Sequence, residues 1–269
     1  MYNNKLYIIE NITSLHAGSG DANFGLVDNK IQRDAITNYP TIHSSSLKGA
    51  LKEYCTHKHN RADGENFIGY IFGDENNSGK VRFIDAHLLS IPMRSDLNPY
   101  YNCVSPKSIE QLLEFSSIFN ISLEQKDVLE KLVAYKGKEI VVKEGNPTIE
   151  DEVAKTDASL NLSALESLVG SPVALVPNKL FEELLKDLPV IARNQLLNGE
   201  SKNLFYEEVL PRKSKLFTVI SEPTYIHTED KKPLGNAFNR FSEYLTNSDT
   251  IHIGANASIG YGVCTFKEL

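Results

Sequence analysis

Apolar and polar residues alternate through LYIIENITSLHAG, which predicts a first strand from Leu6 to about Leu15. A loop rich in Gly, Asn and Asp follows, GSGDANFGLVDNK, and IQRDAITNYPTIH reads as short extended pieces ending at Pro40. Helical spacing begins near Ser46 and runs through LKGALKEYCTHK. GKVRFIDAHLL reads as a strand after a turn at Gly79. SIEQLLEFSSIF and LEQKDVLEKLV read as helices, each with a plausible cap. KEIVVKEG is a short strand and NKLFEELLKDL a further helix. NLFYEEVLP and SKLFTVISE form two strands broken at Pro211. PLGNAFNRFSEYLTN is a helix ending near Asn247, DTIHIG a strand leading into ANASIGYG, and VCTFKEL the last strand. Strands and helices mix without a regular βαβα rhythm, so the pattern predicts an α+β layer fold. No internal repeat interrupts it.

Size adds that this is one large domain or two small ones: 269 residues, 41% of them hydrophobic, can bury a real core. No run of about 18 apolar residues occurs, so no membrane span and no membrane partner is expected. MYNNKLYIIEN lacks the basic-then-apolar pattern of a secretory signal. Cys55, Cys103 and Cys264 are odd in number and widely spaced, which fits a reducing cytoplasm and no disulfide framework. The net charge of −7 argues against a nucleic-acid partner, but its distribution weakens that argument. Residues 110–190 hold 15 Asp and Glu against 8 Lys and Arg, while the rest of the chain holds 20 of each. The excess acid lies in one central segment, which leaves room for a basic groove elsewhere.

Three stretches carry candidate chemistry. IGANASIGYGVCTF sets Gly254, Gly260 and Gly262 between two apolar strands. Such a loop is either an anion-binding nest of N–H groups or a glycine-rich hairpin. It is neither a P-loop nor a dinucleotide fingerprint, because no Gly-Lys-Ser/Thr and no following helix occur. The earlier loop, HAGSGDANFGLVDN, carries His16, which can exchange protons near neutral pH, and Asp28, which can accept a proton or orient a metal. A turn aspartate and a structural histidine are the plainer readings. HSSSLKGA puts Ser45, Ser46 and Lys48 at a helix start. Free N–H groups, hydroxyls and a lysine there make an anion site, or else serine caps with Lys48 in water. His57 and His59 beside Arg61 read as surface residues rather than zinc ligands.

Together, LHAGSG, GLVDNKIQRDAITNYPTIHSSSLKGALKEY, IFG, GKVRFIDAHLLSIPMRS, CVSP, NLFYEEVLP and IGANASIGYG resemble the RAMP superfamily of CRISPR proteins. More closely, they resemble its type III-B (Cmr complex) backbone subunits, over nearly the whole chain and in order. The resemblance implies a modified RRM, or ferredoxin-like, palm with a β-hairpin thumb and helical insertions. It implies a single RAMP domain over residues 1–269, with an acidic helical insertion at about 103–190. The thumb is expected at about 191–205 and to include ARNQLLNGESKN. Copies would stack along a CRISPR guide RNA beside other subunits of the complex. Each copy would cut the paired target RNA once, so that cuts recur at regular intervals.

The resemblance also implies a metal-dependent endoribonuclease using Mg2+ or Mn2+. It selects Asp28, over Asp21 and Asp34, as the cleaving residue and metal partner. It matches His16 to a histidine before that loop and sets Tyr206, Glu207 and Glu208 near the cut. Lys48, with Ser45 and Ser46, matches a guide-backbone contact. Gly254, Asn256, Ser258, Gly260, Tyr261 and Gly262 would lie beside the guide. One departure stands out: the family has Pro-Gly before the serines, where this chain has His43-Ser44. An RNP-type aromatic stacking motif is also absent, which fits a protein that holds a guide by its backbone and leaves sequence reading to base pairing.

For the chemistry, a flipped nucleotide would allow in-line attack by its 2′-hydroxyl, with Asp28 orienting or deprotonating that hydroxyl. His16 would protonate the leaving oxygen or steady the loop. No dense carboxylate cluster surrounds Asp28, which argues against a rigid two-metal site. Two other readings compete: a guide-binding filament subunit that does not cut, and a guide-processing ribonuclease of the same superfamily.

Overall fold

In a computed structural model, residues 2–20, 26–58, 61–224, 235–247 and 249–269 are described. The chain opens with β1 (Tyr2–Asn11), β2 (Thr41–Ile42), α1 (Ser44–Lys58) and α2 (Arg61–Phe72). Next come β3 (Arg82–Phe83), β4 (Ala86–Met93), β5 (Tyr101–Val104), α3 (Pro106–Ile118) and α4 (Lys126–Val133). The acidic region continues through the short strands β6 (Val141–Val142), β7 (Thr148–Ile149), β8 (Glu152–Val153) and β9 (Lys155–Thr156). It is completed by α5 (Ser163–Val169), β10 (Val173–Leu175) and α6 (Asn178–Leu184). The hairpin β11 (Val190–Leu197) and β12 (Glu200–Glu208) leads to β13 (Lys215–Pro223), α7 (Ala237–Thr246), β14 (Ile251–His252) and β15 (Val263–Glu268).

The palm is the antiparallel run β15-β1-β13-β4. Counted along the chain these are its fourth, first, third and second strands, with α1 after the first and α7 after the third. That is the ferredoxin-like arrangement, so the expected α+β class and palm are both present. Helical periodicity explains the covering layer. Leu47, Leu51 and Cys55 recur every fourth residue on α1, and Phe238, Phe241 and Leu245 line one face of α7.

Both faces of the palm are covered. On β1, Tyr7 and Ile9 join the core under α1 and α7, while Leu6 and Ile8 point into a second core with Ile109 and Leu112 of α3 and Leu129 of α4. On β13, Leu216 and Ile220 take the first side, and Phe217 and Val219 the second. A strand covered on both sides reads as an apolar run, which explains LYII at the heart of β1. The ring of Phe115 meets that of Phe217 edge-on, with centroids 5.5 Å apart. The sheet surface on which open RRM sheets stack bases is therefore sealed by the acidic insertion, the physical counterpart of the missing stacking motif.

Several boundaries shift. β1 ends at Asn11, because the backbone then bends to pair Leu15 with Leu210. The expected strand GKVRFIDAHLL divides into β3 and β4, which take separate places on β13. α3 is capped by Ser105, whose hydroxyl accepts from Ser108 N at 3.1 Å ahead of Pro106. The cap expected for α4 is not made: Gln125 precedes it in the left-handed region without a side-chain bond. α2 and α5 went unforeseen. The hairpin β11–β12 spans Val190–Glu208, so NLFYEEVLP supplies its second strand rather than following it. Of the named strands, β11 and β12 pair with each other as a two-stranded ribbon.

No helix among the described residues is long and apolar enough to cross a membrane. The three cysteines are free and buried. Burial pushes the Cys55 and Cys264 thiols up to about 12, and raises Cys103 as well, so they serve as small core residues.

Candidate nucleic-acid interface

The loop after β1 returns as an added strand on the thumb. Asp28 N and Asn29 N both donate to Tyr206 O, at 3.0 and 3.1 Å, and Glu208 N donates to Asn29 O at 2.9 Å. Asp28 Oδ2 accepts from Tyr206 N at 2.7 Å. The aspartate is exposed, so one carboxylate oxygen is fastened to β12 while the group still faces solvent. Asp34 is spent locally, where Oδ1 accepts from Ile36 N, Thr37 N and Thr37 Oγ1. Burial alone would raise its carboxyl, but those bonds outweigh it and hold it below the usual range. Asp21 and His59 lie outside the described residues; His57 is exposed.

Glu207 and Glu208 are consecutive on a strand, so their side chains leave on opposite sides. Each is about 95% buried and each meets an arginine. Glu207 Oε2 accepts from Arg193 Nη1 at 3.0 Å and Asn256 Nδ2 at 2.9 Å. Its Oε1 lies 3.7 Å from His16 Nε2. Glu208 Oε1 accepts from Arg33 Nη2 at 2.6 Å, and its Oε2 from Ile31 N at 3.1 Å. Arg33 also donates to Leu185 O and Asn38 O, tying the end of the Asp28 loop to α6.

These contacts bear on two of the expected site residues. His16 is only 4% exposed, and its Nδ1 lies 2.7 Å from Glu208 O. A carbonyl only accepts, so Nδ1 carries the proton and Nε2 turns toward Glu207. His16 is thus enclosed on both ring nitrogens, steadying the loop rather than meeting a leaving group. Glu207 is likewise consumed by its partners. Tyr206, 37% exposed, keeps its side chain open to solvent beside the Asp28 anchor.

The glycine segment is a hairpin. β14 pairs with β15, and a short 3-10 turn (Ala257–Ile259) lies in the connection. Its donors are mostly spent: Ala255 N on His16 O, Gly260 N on Ala257 O, Tyr261 N on Asn256 O and Gly262 N on Ser14 O. The expected nest of N–H groups across Gly260–Gly262 is therefore not built. The glycines act sterically instead. A Cβ on Gly254, at φ +88°, would sit 2.4 Å from His16 O. One on Gly262, at φ +70°, would fall onto the carbonyl oxygen of Ile253. Gly262→Ala should cost roughly 1–3 kcal/mol through clash and strain. Gly260→Ala, whose Cβ meets nothing within 4 Å, should cost about 1 kcal/mol. Urea unfolding of both variants checks the order. Ser258 is exposed in this turn, and Tyr261 is half-buried against Arg193.

The start of α1 holds its own anion. Ser44 N donates to Asp85 Oδ1 at 2.7 Å, and His43 Nδ1 lies 3.6 Å from Asp85 Oδ2. Burial would raise Asp85, but its bonds to Ser44 and the His43 ring hold it low. The anion place expected for phosphate at this helix end is thus taken by Asp85. Ser46 Oγ accepts from Gln32 Nε2 at 2.9 Å, and Ser45 is exposed. Lys48 Nζ lies 6.0 Å from the Phe83 ring centroid and forms no ion pair among the described residues.

Among the described residues the side chains do not assemble a centre for a divalent ion. Among the described residues no group of three His, Cys, Asp or Glu could hold a metal. Asp28 offers one oxygen, and its acidic neighbours on β12 are paired with arginines.

A model of the RAMP superfamily matches residues 8–265. The chain belongs to the RAMP superfamily. This RAMP protein is 27% identical over 288 residues to the CRISPR system Cmr endoribonuclease Cmr4 of Pyrococcus furiosus, spanning 96% of this chain and 94% of that one. Its fold is similar to that of a chain in type III-B Cmr-beta bound to cognate target RNA, with a TM-score of 0.81, 21% identity and coverage of 99% and 97%. Oligomeric Cmr4 from Pyrococcus furiosus superposes with a TM-score of 0.74 at 18% identity, covering 99% of this RAMP chain and all of that one.

Sequence reasoning alone missed Arg33 and Arg193. Only the juxtaposed pair Glu207-Glu208 hinted that two cations were needed, and nothing in the sequence said which.

Proposed function

We propose that this chain is the filament-forming backbone subunit of a type III-B CRISPR effector, binding guide RNA and cutting complementary target RNA at regular intervals. The observation that carries this is the end-to-end relationship to a Cmr endoribonuclease, 96% of this chain against 94% of that one. The site supports it: an exposed aspartate is fastened by its carboxylate to an outlying hairpin strand. The partners are guide RNA, target RNA, further copies of the chain and other subunits of the complex, and the compartment is the cytoplasm.

The chemistry follows from RNA itself. The 2′-hydroxyl attacks the adjacent phosphorus, the P–O5′ bond breaks, the departing 5′-oxygen takes a proton from water, and the products carry a 2′,3′-cyclic phosphate and a 5′-hydroxyl. Asp28 accepts or orients the hydroxyl proton. The hairpin wedges the duplex so that one nucleotide leaves A-form stacking, and Tyr206 offers a ring to a displaced base. A divalent cation enters this proposal only as an ion brought by RNA phosphates, since among the described residues no three ligating side chains gather to hold one.

The test is a complex co-expressed with its guide and given end-labelled RNA. Evenly spaced cuts in a complementary strand, and none in an unrelated strand, are expected. Intact complementary RNA would favour the non-cutting filament subunit. Cutting of precursor guide RNA by the isolated protein would favour the processing enzyme.

Lys48 is assigned to the guide's sugar-phosphate backbone, alongside Ser45, Ser258 and the surface around Gly254 and Asn256. Lys48→Ala should weaken guide binding and reduce the log–log salt slope by about 0.7, one phosphate contact. Fluorescence anisotropy across a salt series reads both, and an unchanged slope would remove Lys48 from the interface.

A further inference from the structure

From the geometry we infer that Arg193 is a positioning residue for cleavage, locking the Asp28-bearing strand at a set distance from the guide-facing glycine loop. Arg193 belongs to β11 and lies opposite Phe205 of β12 in the hairpin register. Its guanidinium carbon is 5.6 Å from the Phe205 ring centroid and 5.7 Å from that of Tyr261. Phe205 is part of the hairpin, and Tyr261 is part of the glycine loop. The planar cation therefore lies between an aromatic ring of each element.

Its Nη1 donates to Glu207 Oε2 at 3.0 Å, the same oxygen that accepts from Asn256 of the glycine loop at 2.9 Å. One buried carboxylate and one guanidinium, bonded to each other, thus each reach from hairpin to loop. Asp28 hangs from the very next residue, Tyr206, through both its main chain and its carboxylate. The chain of contacts runs from the guide-facing loop to Arg193 and Glu207, then along β12 to Asp28.

Removing Arg193 leaves the buried Glu207 carboxylate with Asn256 and the edge of His16. Leaving a buried charge half-partnered is costly, and the hairpin relieves it by swinging away from the palm. Because Asp28 rides on the hairpin, the swing displaces the reacting carboxylate from a guide-held target. Misplacement by about 1 Å costs on the order of 10²-fold in rate. Binding depends on the guide and the palm, so affinity for target is held.

This inference rests on the reading of the chain as a target-cutting subunit, and the experiment separates the two. Parent, Arg193→Gln, Arg193→Lys and Tyr261→Leu complexes are compared in single-turnover cleavage at nucleotide resolution, with target affinity measured in parallel. Arg193→Gln is expected to cut on the order of 10²-fold more slowly at unchanged affinity, with products spread over neighbouring positions. Arg193→Lys, keeping the charge and losing the stacked plane, is expected to recover part of the rate. Tyr261→Leu keeps the ion pair and is expected to broaden the cut positions, and it decides the matter should Arg193→Gln fail to assemble. Parent-like rate and cut positions in Arg193→Gln and Tyr261→Leu, or a rate loss that only tracks lost affinity, would overturn the inference. A parent complex that leaves target whole would instead overturn the functional reading.

Discussion

Asp28→Asn should leave a complex that assembles and binds target normally but cuts it about 10²–10⁴-fold more slowly, the range for losing a positioned proton acceptor. Asparagine suits the test because its carbonyl oxygen can still accept from Tyr206 N, the bond that Asp28 Oδ2 makes at 2.7 Å. The main-chain bonds from Asp28 N and Asn29 N to Tyr206 O do not involve the side chain. The loop therefore stays on β12, and only the charge and proton-accepting power go. Affinity should be equal or slightly tighter, since a carboxylate near phosphates repels by about 1 kcal/mol at 4 Å in water. Asp28→Ala would remove the anchor too and confound the two effects. Regularly spaced cuts at the parent rate, with magnesium or manganese present, would reduce Asp28 to a strand-addition residue and favour the non-cutting subunit.

The largest loss of stability is expected from Glu208. Its carboxylate pairs with Arg33 at 2.6 Å and accepts from Ile31 N at 3.1 Å, in surroundings that leave the residue 5% exposed. Glu208→Leu strands a guanidinium and an amide, and breaking such a pair from one side costs roughly 3–5 kcal/mol. The Arg33 bonds to Leu185 O and Asn38 O soften the loss but do not replace a charge partner. The double variant Arg33→Met with Glu208→Leu removes both charges and should recover much of the stability, because a buried pair exceeds a hydrophobic replacement by little. Chemical denaturation of the parent, both singles and the double gives the coupling. A single variant within about 0.5 kcal/mol of the parent would show that the pair holds nothing together.

The palm was largely legible because its strands and helices carry their own periodicity. β1 and β13 stand out as short apolar runs, and α1, α3 and α7 repeat apolar residues at helical spacing. What escaped was set by pairing across the chain. The division of β3 from β4 depends on where β13 lies, and the hairpin thumb that the resemblance implied extends over Val190–Glu208, beyond about 191–205, because β11 pairs along the whole of β12. The site shows the same split. Asp28 was picked out by family resemblance, not by its neighbours in sequence, and its anchor is Tyr206, 178 positions away. Arg33 reaches Glu208 across 175 positions. His16 read either as a proton donor or as a residue that steadies the loop, and the choice rests on Glu208 and Glu207, which enclose it from far along the chain. The glycine loop read equally as a nest or a hairpin, and bonds to Ser14 O and His16 O settled it by consuming the donors.

The place of β1 in the palm also governs how the protein is made. β1 is paired along one edge with β13 and along the other with β15, strands that lie on the order of 200 residues later. A ribosome adding roughly 5–20 residues per second emits LYII about 10–40 s before β13 exists to receive it. The partners of Leu6 and Ile8 on α3 and α4 leave the ribosome before β13 does, whereas those of Tyr7 and Ile9 on α7 leave after it. Premature termination before β13 would release a polypeptide whose first strand has both hydrogen-bonding edges bare, a substrate for chaperones and proteases rather than for assembly onto RNA.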